Sequence, residues 1–224
     1  MGKTYIISGF YGSGKTEFCV NLAMHLAKSE NEPVTIADLD VINPYFRSRE
    51  QSDKLKAHGI SIMGNALGNN TGQDLPAVSY AFTSRIINGE NVILDLAGGT
   101  AGIRLLSHCY DAIYHAKTHE FLCVLNPFRP ETKDAAAIAS FVKEVNEMSK
   151  LGITGFVNNG SMLRDTTKEH VLYGQEVALK ASDMLNIPLE YSLINSQIYN
   201  EVKGLIASKE IIVFEQLAMR KDWQ

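Results

Sequence analysis

The chain has 224 residues, of which 45% are hydrophobic and 21% charged, and its formal net charge is −4. That length suits one α/β domain able to bury its own core without a disulfide or metal staple. The mildly acidic balance gives no electrostatic footprint for nucleic acid or for an anionic membrane, so neither is expected as a partner.

In chain order, short apolar runs bounded by turn signals alternate with helical patterns. The runs Thr4–Ser8, Val34–Asp38, Gly59–Met63, Val92–Leu96, Glu120–Leu125, Thr154–Asn158 and Leu189–Leu193 read as strands,. Lys15–Lys28, Pro76–Asn88, Thr132–Lys150 and Lys168–Leu185 carry apolar residues at helical spacing, and Leu205–Arg220 reads as a closing helix,. Alternation of this kind predicts a doubly wound α/β fold: a mostly parallel sheet of about seven strands with helices on both faces. No linker or repeat divides the chain, so residues 1–224 are read as a single domain. Asn- and Gly-rich Gly64–Gln73 is either a plain surface loop or a loop at the rim of a site,.

The first strand runs directly into Gly9-Phe10-Tyr11-Gly12-Ser13-Gly14-Lys15-Thr16, a complete G-x-x-x-x-G-K-[ST] phosphate loop,. Its glycines let backbone N–H groups turn inward onto phosphate oxygens, and the helix that follows presents unpaired N–H groups and a positive dipole end. Gly9, Gly12, Ser13, Gly14, Lys15, Thr16 and Glu17 are therefore the expected nucleotide-binding set. Lys15 would reach the β- and γ-phosphates, and the Thr16 hydroxyl would ligate Mg²⁺.

Hydrolysis needs acids beside that loop. Asn91-Val92-Ile93-Leu94-Asp95 is an apolar run ending in an aspartate, the form of a Walker B strand, and Asp95 is a metal candidate,. Gly98 and Gly99 follow, where the backbone can swing toward a γ-phosphate. Asp38 and Asp40 close the second strand on one face. Asp40 is the candidate for polarising the attacking water, with Asp38 nearer the metal. Each of these aspartates could instead be ordinary strand-end turn chemistry.

The phosphate loop, Asp38-Leu39-Asp40 and Asp95-Leu96-Ala97-Gly98-Gly99 together resemble the MinD/ParA/NifH group of P-loop ATPases, within the CobQ/CobB/MinD/ParA nucleotide-binding class. The resemblance implies Mg²⁺-dependent ATP hydrolysis to ADP. Lys15, Asp38 and Asp40 would carry the catalysis, Thr16, Asp38 and Asp95 the metal, and Gly98–Gly99 would sense the γ-phosphate. It also implies a nucleotide-driven switch read by a protein partner, in some members through a nucleotide-dependent homodimer. Phe10 stands where those members carry a signature lysine that enters the partner's site. Arg47, Arg49 and Arg104 are the arginines considered for its charge.

Guanine-specific relatives read their base with N-K-x-D. Here Asn158-Asn159-Gly160-Ser161 follows the strand, with Ser161 in the aspartate's place, so the resemblance implies adenine and puts Asn158 at its edge,. Ile194–Gln197 is the expected opposite side of the base pocket. Asn43–Glu50 and Asn126–Pro130, which combine aromatics and arginines, are candidate partner surfaces.

The three cysteines, Cys19, Cys109 and Cys123, have no cluster-binding spacing and read as reduced thiols, so no iron–sulfur cluster is expected,. No apolar run approaches the roughly 20 residues of a membrane-spanning helix, the chain begins without a basic leader, and Lys221-Asp222-Trp223 lacks the charge of an amphipathic membrane anchor. A cytoplasmic protein is expected. Two other readings share this fold: an ATP-dependent small-molecule kinase or ligase resembling dethiobiotin synthetase, and a nucleotide-binding adaptor without catalysis.

Overall fold

A computed structural model describes residues 2–30, 33–40, 52–64, 82–116 and 118–218. The elements in order are β1 (Thr4–Ser8), α1 (Lys15–Glu30), β2 (Val34–Leu39), α2 (Ser52–Ala57), β3 (Ile60–Gly64), β4 (Asn91–Leu96), α3 (Tyr110–His115), β5 (His119–Leu125), α4 (Ala135–Ser149), β6 (Gly155–Asn158), α5 (Lys168–Leu185), β7 (Leu189–Asn195), α6 (Ser196–Val202) and β8 (Glu210–Phe214). Residues 82–87 are helical, and a 3-10 stretch covers Gly99–His108.

The strands form one sheet in the order β3-β2-β4-β1-β5-β6-β7-β8, every pair parallel. The doubly wound architecture expected from the alternating pattern is present. β1 and β4 are buried along their whole length, as parallel strands covered on both faces must be. Alternate residues feed opposite layers. Ile6 joins the cluster formed with Phe82, Leu106, Ile113, Phe141, Val142, Val177 and Ala178. Tyr5 and Ile7 join the one formed with Phe18, Leu22, Leu26, Leu55 and Leu217,.

Local sequence sets the helix ends. Asp134 caps α4 by accepting from the Ala137 N–H at 2.9 Å, and Lys150 ends it in the left-handed region at φ 52°,. Thr167 N–H donates to His170 Nδ1 at 3.1 Å at the start of α5, and Asn186 closes it at φ 53°.

One element departs from expectation. Within the expected closing helix Leu205–Arg220, the described residues 205–218 form no helix: Glu210–Phe214 is the eighth strand, paired to β7. Glu210-Ile211-Ile212-Val213-Phe214 is rich in β-branched side chains, which lose rotamer freedom in a helix and pack well on a pleated edge. Ile212 and Phe214 turn inward while Val213 is exposed, the period of two that a strand requires. Among the described residues, no helix is long and apolar enough to cross a membrane.

After β1 the chain runs through α1 toward β2. After β5 it runs through α4 toward β6, on the other face. The connections therefore diverge between β1 and β5, and at the carboxyl ends of these two strands a doubly wound sheet opens a crevice for ligand.

Candidate functional site

The loop leaving β1 lies in that crevice. It closes on itself through Ser13 N–H to Phe10 O at 3.2 Å and opens α1 with Phe18 N–H to Gly14 O at 2.9 Å. Gly14 is required twice over. Its φ of +91° suits glycine,, and the Asn159 amide fills the space a Cβ would take. Asn159 Nδ2 donates to Ser13 O at 2.7 Å, and its N–H donates to Leu125 O at 2.9 Å. This buried side chain ties the phosphate loop to the ends of β5 and β6. The Lys15 side chain is buried and donates to Phe10 O at 3.0 Å. Burial pulls its ammonium below the ordinary lysine pKa, while the charges of Asp95 and Asp40 oppose that shift,.

The sheet register brings the acids to the loop. Asp95 pairs with Ile7 on β1 and with Asp38 on β2. Asp95 is buried, and neither carboxylate oxygen has a hydrogen bond of good geometry. Burial raises its pKa to about 6. The Thr16 hydroxyl and Lys15 pull it back down, and Asp40 pushes it up,. A buried carboxylate with idle oxygens beside a threonine hydroxyl is costly in itself and has the donor chemistry of a Mg²⁺ site. The residues present fit that ion. No group of three or more His, Cys, Asp or Glu side chains converges as a cage among the described residues. A Mg²⁺ here would thus take most of its ligands from phosphate and water, as this ion commonly does.

Asp38 is buried, and its Oδ1 accepts from the Asp40 N–H at 3.2 Å. That bond turns the chain so that Asp40, half-buried, faces the cavity above the loop. The cavity measures about 340 Å³, within the range of small-molecule sites of roughly 300–1,000 Å³. Its lining combines Gly12, Gly14, Lys15, Thr16 and Asp40, a part built for charge, with Met162, Leu163, Phe214 and Leu217, a part that is apolar.

Gly98 and Gly99 sit against the loop. Gly99 N–H donates to Gly9 O at 3.0 Å. The Tyr11 ring lies 2.6 Å from where a Cβ on Gly98 would stand, so any side chain there would displace the ring. Tyr11 is half exposed and lies under the Lys15 ammonium, 5.9 Å from ring centroid to Nζ. It joins the phosphate loop to the glycine segment.

Other residues fall elsewhere than sequence reasoning placed them. Asn158 does not line the cavity: its Nδ2 donates to Val171 O at 3.2 Å, and its Oδ1 accepts from Gly160 N–H at 3.1 Å. Its amide holds α5 and the β6 turn, and its neighbour Asn159 reaches the loop. Strand alternation fixes which of two adjacent asparagines points at the β1 loop, and the N-K-x-D comparison did not carry that phase. Glu17 lines the cavity, but its carboxylate accepts from Asn21 Nδ2 at 2.8 Å and from Ala218 N–H at 2.9 and 3.1 Å, tethering the segment after β8. That segment, with Phe214 and Leu217, forms the wall expected from Ile194–Gln197. Ile194 and Asn195 instead close β7, and Ser196 and Gln197 open α6. Arg104 is exposed on the 3-10 stretch and does not line the cavity. Arg47, Arg49, the rest of Asn43–Glu50, residues 65–81 and Lys221-Asp222-Trp223 lie outside the described residues. All three cysteines are buried, and burial pushes Cys109 and Cys123 up to about 12.

No protein-family model and no curated protein matches this chain. Solved structures do. The cell division protein FtsY of Thermotoga maritima aligns with 20% identity and a TM-score of 0.57, covering 86% of this chain and 61% of its own. The signal recognition particle 54 kDa protein of Aeropyrum pernix K1, in complex with GDP, aligns with 14% identity and a TM-score of 0.57, over 97% of this chain and 43% of its own. A nucleotide-binding protein of Archaeoglobus fulgidus, in complex with ADP, aligns with 21% identity and a TM-score of 0.57, over 85% and 80%. This chain therefore spans about three fifths of the FtsY length. The likeness is one of fold, and that fold is the P-loop nucleoside triphosphatase α/β sheet.

Proposed function

We propose that this chain binds ATP with Mg²⁺, hydrolyses it to ADP, and uses the difference between the two states as a switch for a protein partner. The observation that carries the reading is Asp95: a buried carboxylate with no hydrogen bond of good geometry to either oxygen, set by the sheet register beside Thr16 and Lys15 at the floor of an intact phosphate loop. Loop amides and Lys15 would hold the phosphates, while the Thr16 hydroxyl and Asp95, with Asp38 behind them, would hold the metal. A bound Mg²⁺ supplies charge neutralisation on the phosphate oxygens. Asp40, which lines the cavity just after β2, would orient a water in line with the γ-phosphate.

Adenine is favoured by what lines the apolar part. Guanine recognition needs a carboxylate for the base edge, and Ser161 stands in that position. Its hydroxyl accepts from Leu163 N–H at 3.2 Å. The cavity's remaining carboxylates are Glu17, which the tail engages, and Asp40 in the charged part. Met162, Leu163, Phe214 and Leu217 offer faces on which a purine can pack. The solved neighbours include both a GDP and an ADP complex, so the preference for adenine rests on these side chains.

The switch reading rests on the Gly9–Gly99 hydrogen bond and the Tyr11–Gly98 contact. A γ-phosphate that draws the Gly98–Gly99 amides toward itself would break the first and move the second. Calorimetric titration with ATP and GTP, with and without Mg²⁺, tests the assignment. ATP should bind only with Mg²⁺ at full affinity, and Lys15→Ala should abolish binding. GTP binding at least tenfold tighter than ATP would overturn the adenine reading.

A further inference from the structure

A second cation stands at the cavity, and the reading above does not use it. Arg129 lies in Asn126-Pro127-Phe128-Arg129-Pro130, the connection that leaves β5. This connection is firmly held. Asn126 Oδ1 accepts from Phe128 N–H at 3.0 Å, Asn126 Nδ2 donates to Ser161 O at 3.0 Å, and the Thr132 hydroxyl donates to Asn126 O at 2.6 Å. Asn126 and Thr132 are both buried. The backbone carrying Arg129 is thus anchored to the β6 turn, which Asn159 in turn anchors to the phosphate loop.

From that base the side chain reaches back across the crevice. Arg129 Nε donates to Gly12 O at 3.1 Å, and its guanidinium atoms lie 3.0–3.3 Å from where a Cβ on Gly12 would stand. Gly12, at φ +72°, leaves that space open. A guanidinium has five N–H donors, and Gly12 takes one. Among the described residues no carboxylate lies within ion-pair distance of Arg129. Phe10 brings no charge to the loop, its ring packing on Phe141 at 4.3 Å between centroids. Among the described residues, Lys15 and Arg129 are the two cationic side chains lining the cavity.

We propose that Arg129 is a phosphate-binding residue supplied in cis, its guanidinium contacting the terminal phosphates of a nucleoside triphosphate seated in the loop. The inference rests on the nucleotide reading above. Planar arginine is suited to this task because two parallel N–H groups can meet two phosphate oxygens, and its charge persists at any physiological pH. The Gly12 bond fixes the plane of the fork before ligand arrives, so little rotamer freedom is lost on binding. With the cation on the same chain as the loop, the charge at the cavity does not depend on a second subunit.

The test is equilibrium binding of ATPγS and of ADP, each with Mg²⁺, to the full chain and three variants. Arg129→Ala should weaken ATPγS by about tenfold, the loss of one charged hydrogen-bonded contact, and ADP by less than about threefold. Arg129→Lys keeps a cation and should recover part of the ATPγS affinity. Arg129→Gln keeps a donor for Gly12 O without the charge and should behave as Arg129→Ala. Full recovery by Arg129→Gln would make the arginine a structural tie and overturn the proposal, as would equal losses for ATPγS and ADP. Failure of the unaltered chain to bind either nucleotide would overturn the nucleotide reading itself, a result distinct from both.

Discussion

Asp95 is where the chemistry and the stability of this protein oppose each other. Its pKa in the fold, about 6, lies above the ordinary 3.8. The apo protein therefore holds an extra proton between those two values. The group favours the fold most below the unfolded pKa, and that contribution is lost as pH rises through about 6. The shift corresponds to at most about 3 kcal/mol. Asp95→Asn should accordingly stabilise the apo protein at pH 7.5 by about 1–3 kcal/mol and remove Mg²⁺-dependent nucleotide binding. Denaturant melts of both proteins across pH 5–8 check this, and the gap should narrow progressively as pH falls below about 6,. A stability difference independent of pH would mean that the carboxylate is not strained. The phosphate loop and Asp95 could be recognised as motifs because their residues are contiguous. Asn159 and Arg129 could not, because their roles depend on bonds to Ser13 and Gly12 across 146 and 117 positions of chain. The pair Asn158 and Asn159 gives a sharp check on that difference. Asn158→Ala should cost about 1–3 kcal/mol through its lost buried bonds and leave the ATP-to-GTP affinity ratio unchanged, whereas a changed ratio would return Asn158 to the base.

At the scale of elements, β8 shows what periodicity alone misses. A closing amphipathic helix and an edge strand can share an apolar pattern over a few residues, and the β-branched run Ile211-Ile212-Val213 decides between them. The strand matters to the site because it delivers Phe214 and Leu217 to the cavity, and Glu17 secures the tail at Ala218. Ile212, fully buried, should cost about 2–4 kcal/mol when changed to Ala, while Val213→Thr at the exposed position should stay within about 0.5 kcal/mol. Comparable losses at both positions, read by thermal or urea unfolding, would contradict the strand. Glu17→Ala should release the tail and weaken ATP by about three- to tenfold through the apolar wall. An unchanged affinity would show that Leu217 does not touch the base.

Across the whole molecule, the sheet order places Asp95 and Asp38 side by side next to β1 and lets the β1, β5 and β6 connections meet over one cavity. The strand-helix alternation foretold the architecture, and a central strand such as β4 declares itself by the continuous apolar run Val92-Ile93-Leu94,. Strand order was not legible, because register is a long-range property and nothing local to β4 says that it lies between β1 and β2. Only with that order does Asp40 line the cavity while Tyr11 couples the loop to Gly98. Hydrolysis at this site is the central claim. Phosphate release from Mg²⁺·ATP, measured for the unaltered chain and for Asp40→Asn with ATP binding followed in parallel, tests it most directly. The unaltered chain should release phosphate, and Asp40→Asn should bind ATP within about twofold while turning it over about 10²-fold more slowly. Equal turnover by the two proteins, or no phosphate release by the unaltered chain at saturating ATP, would contradict it.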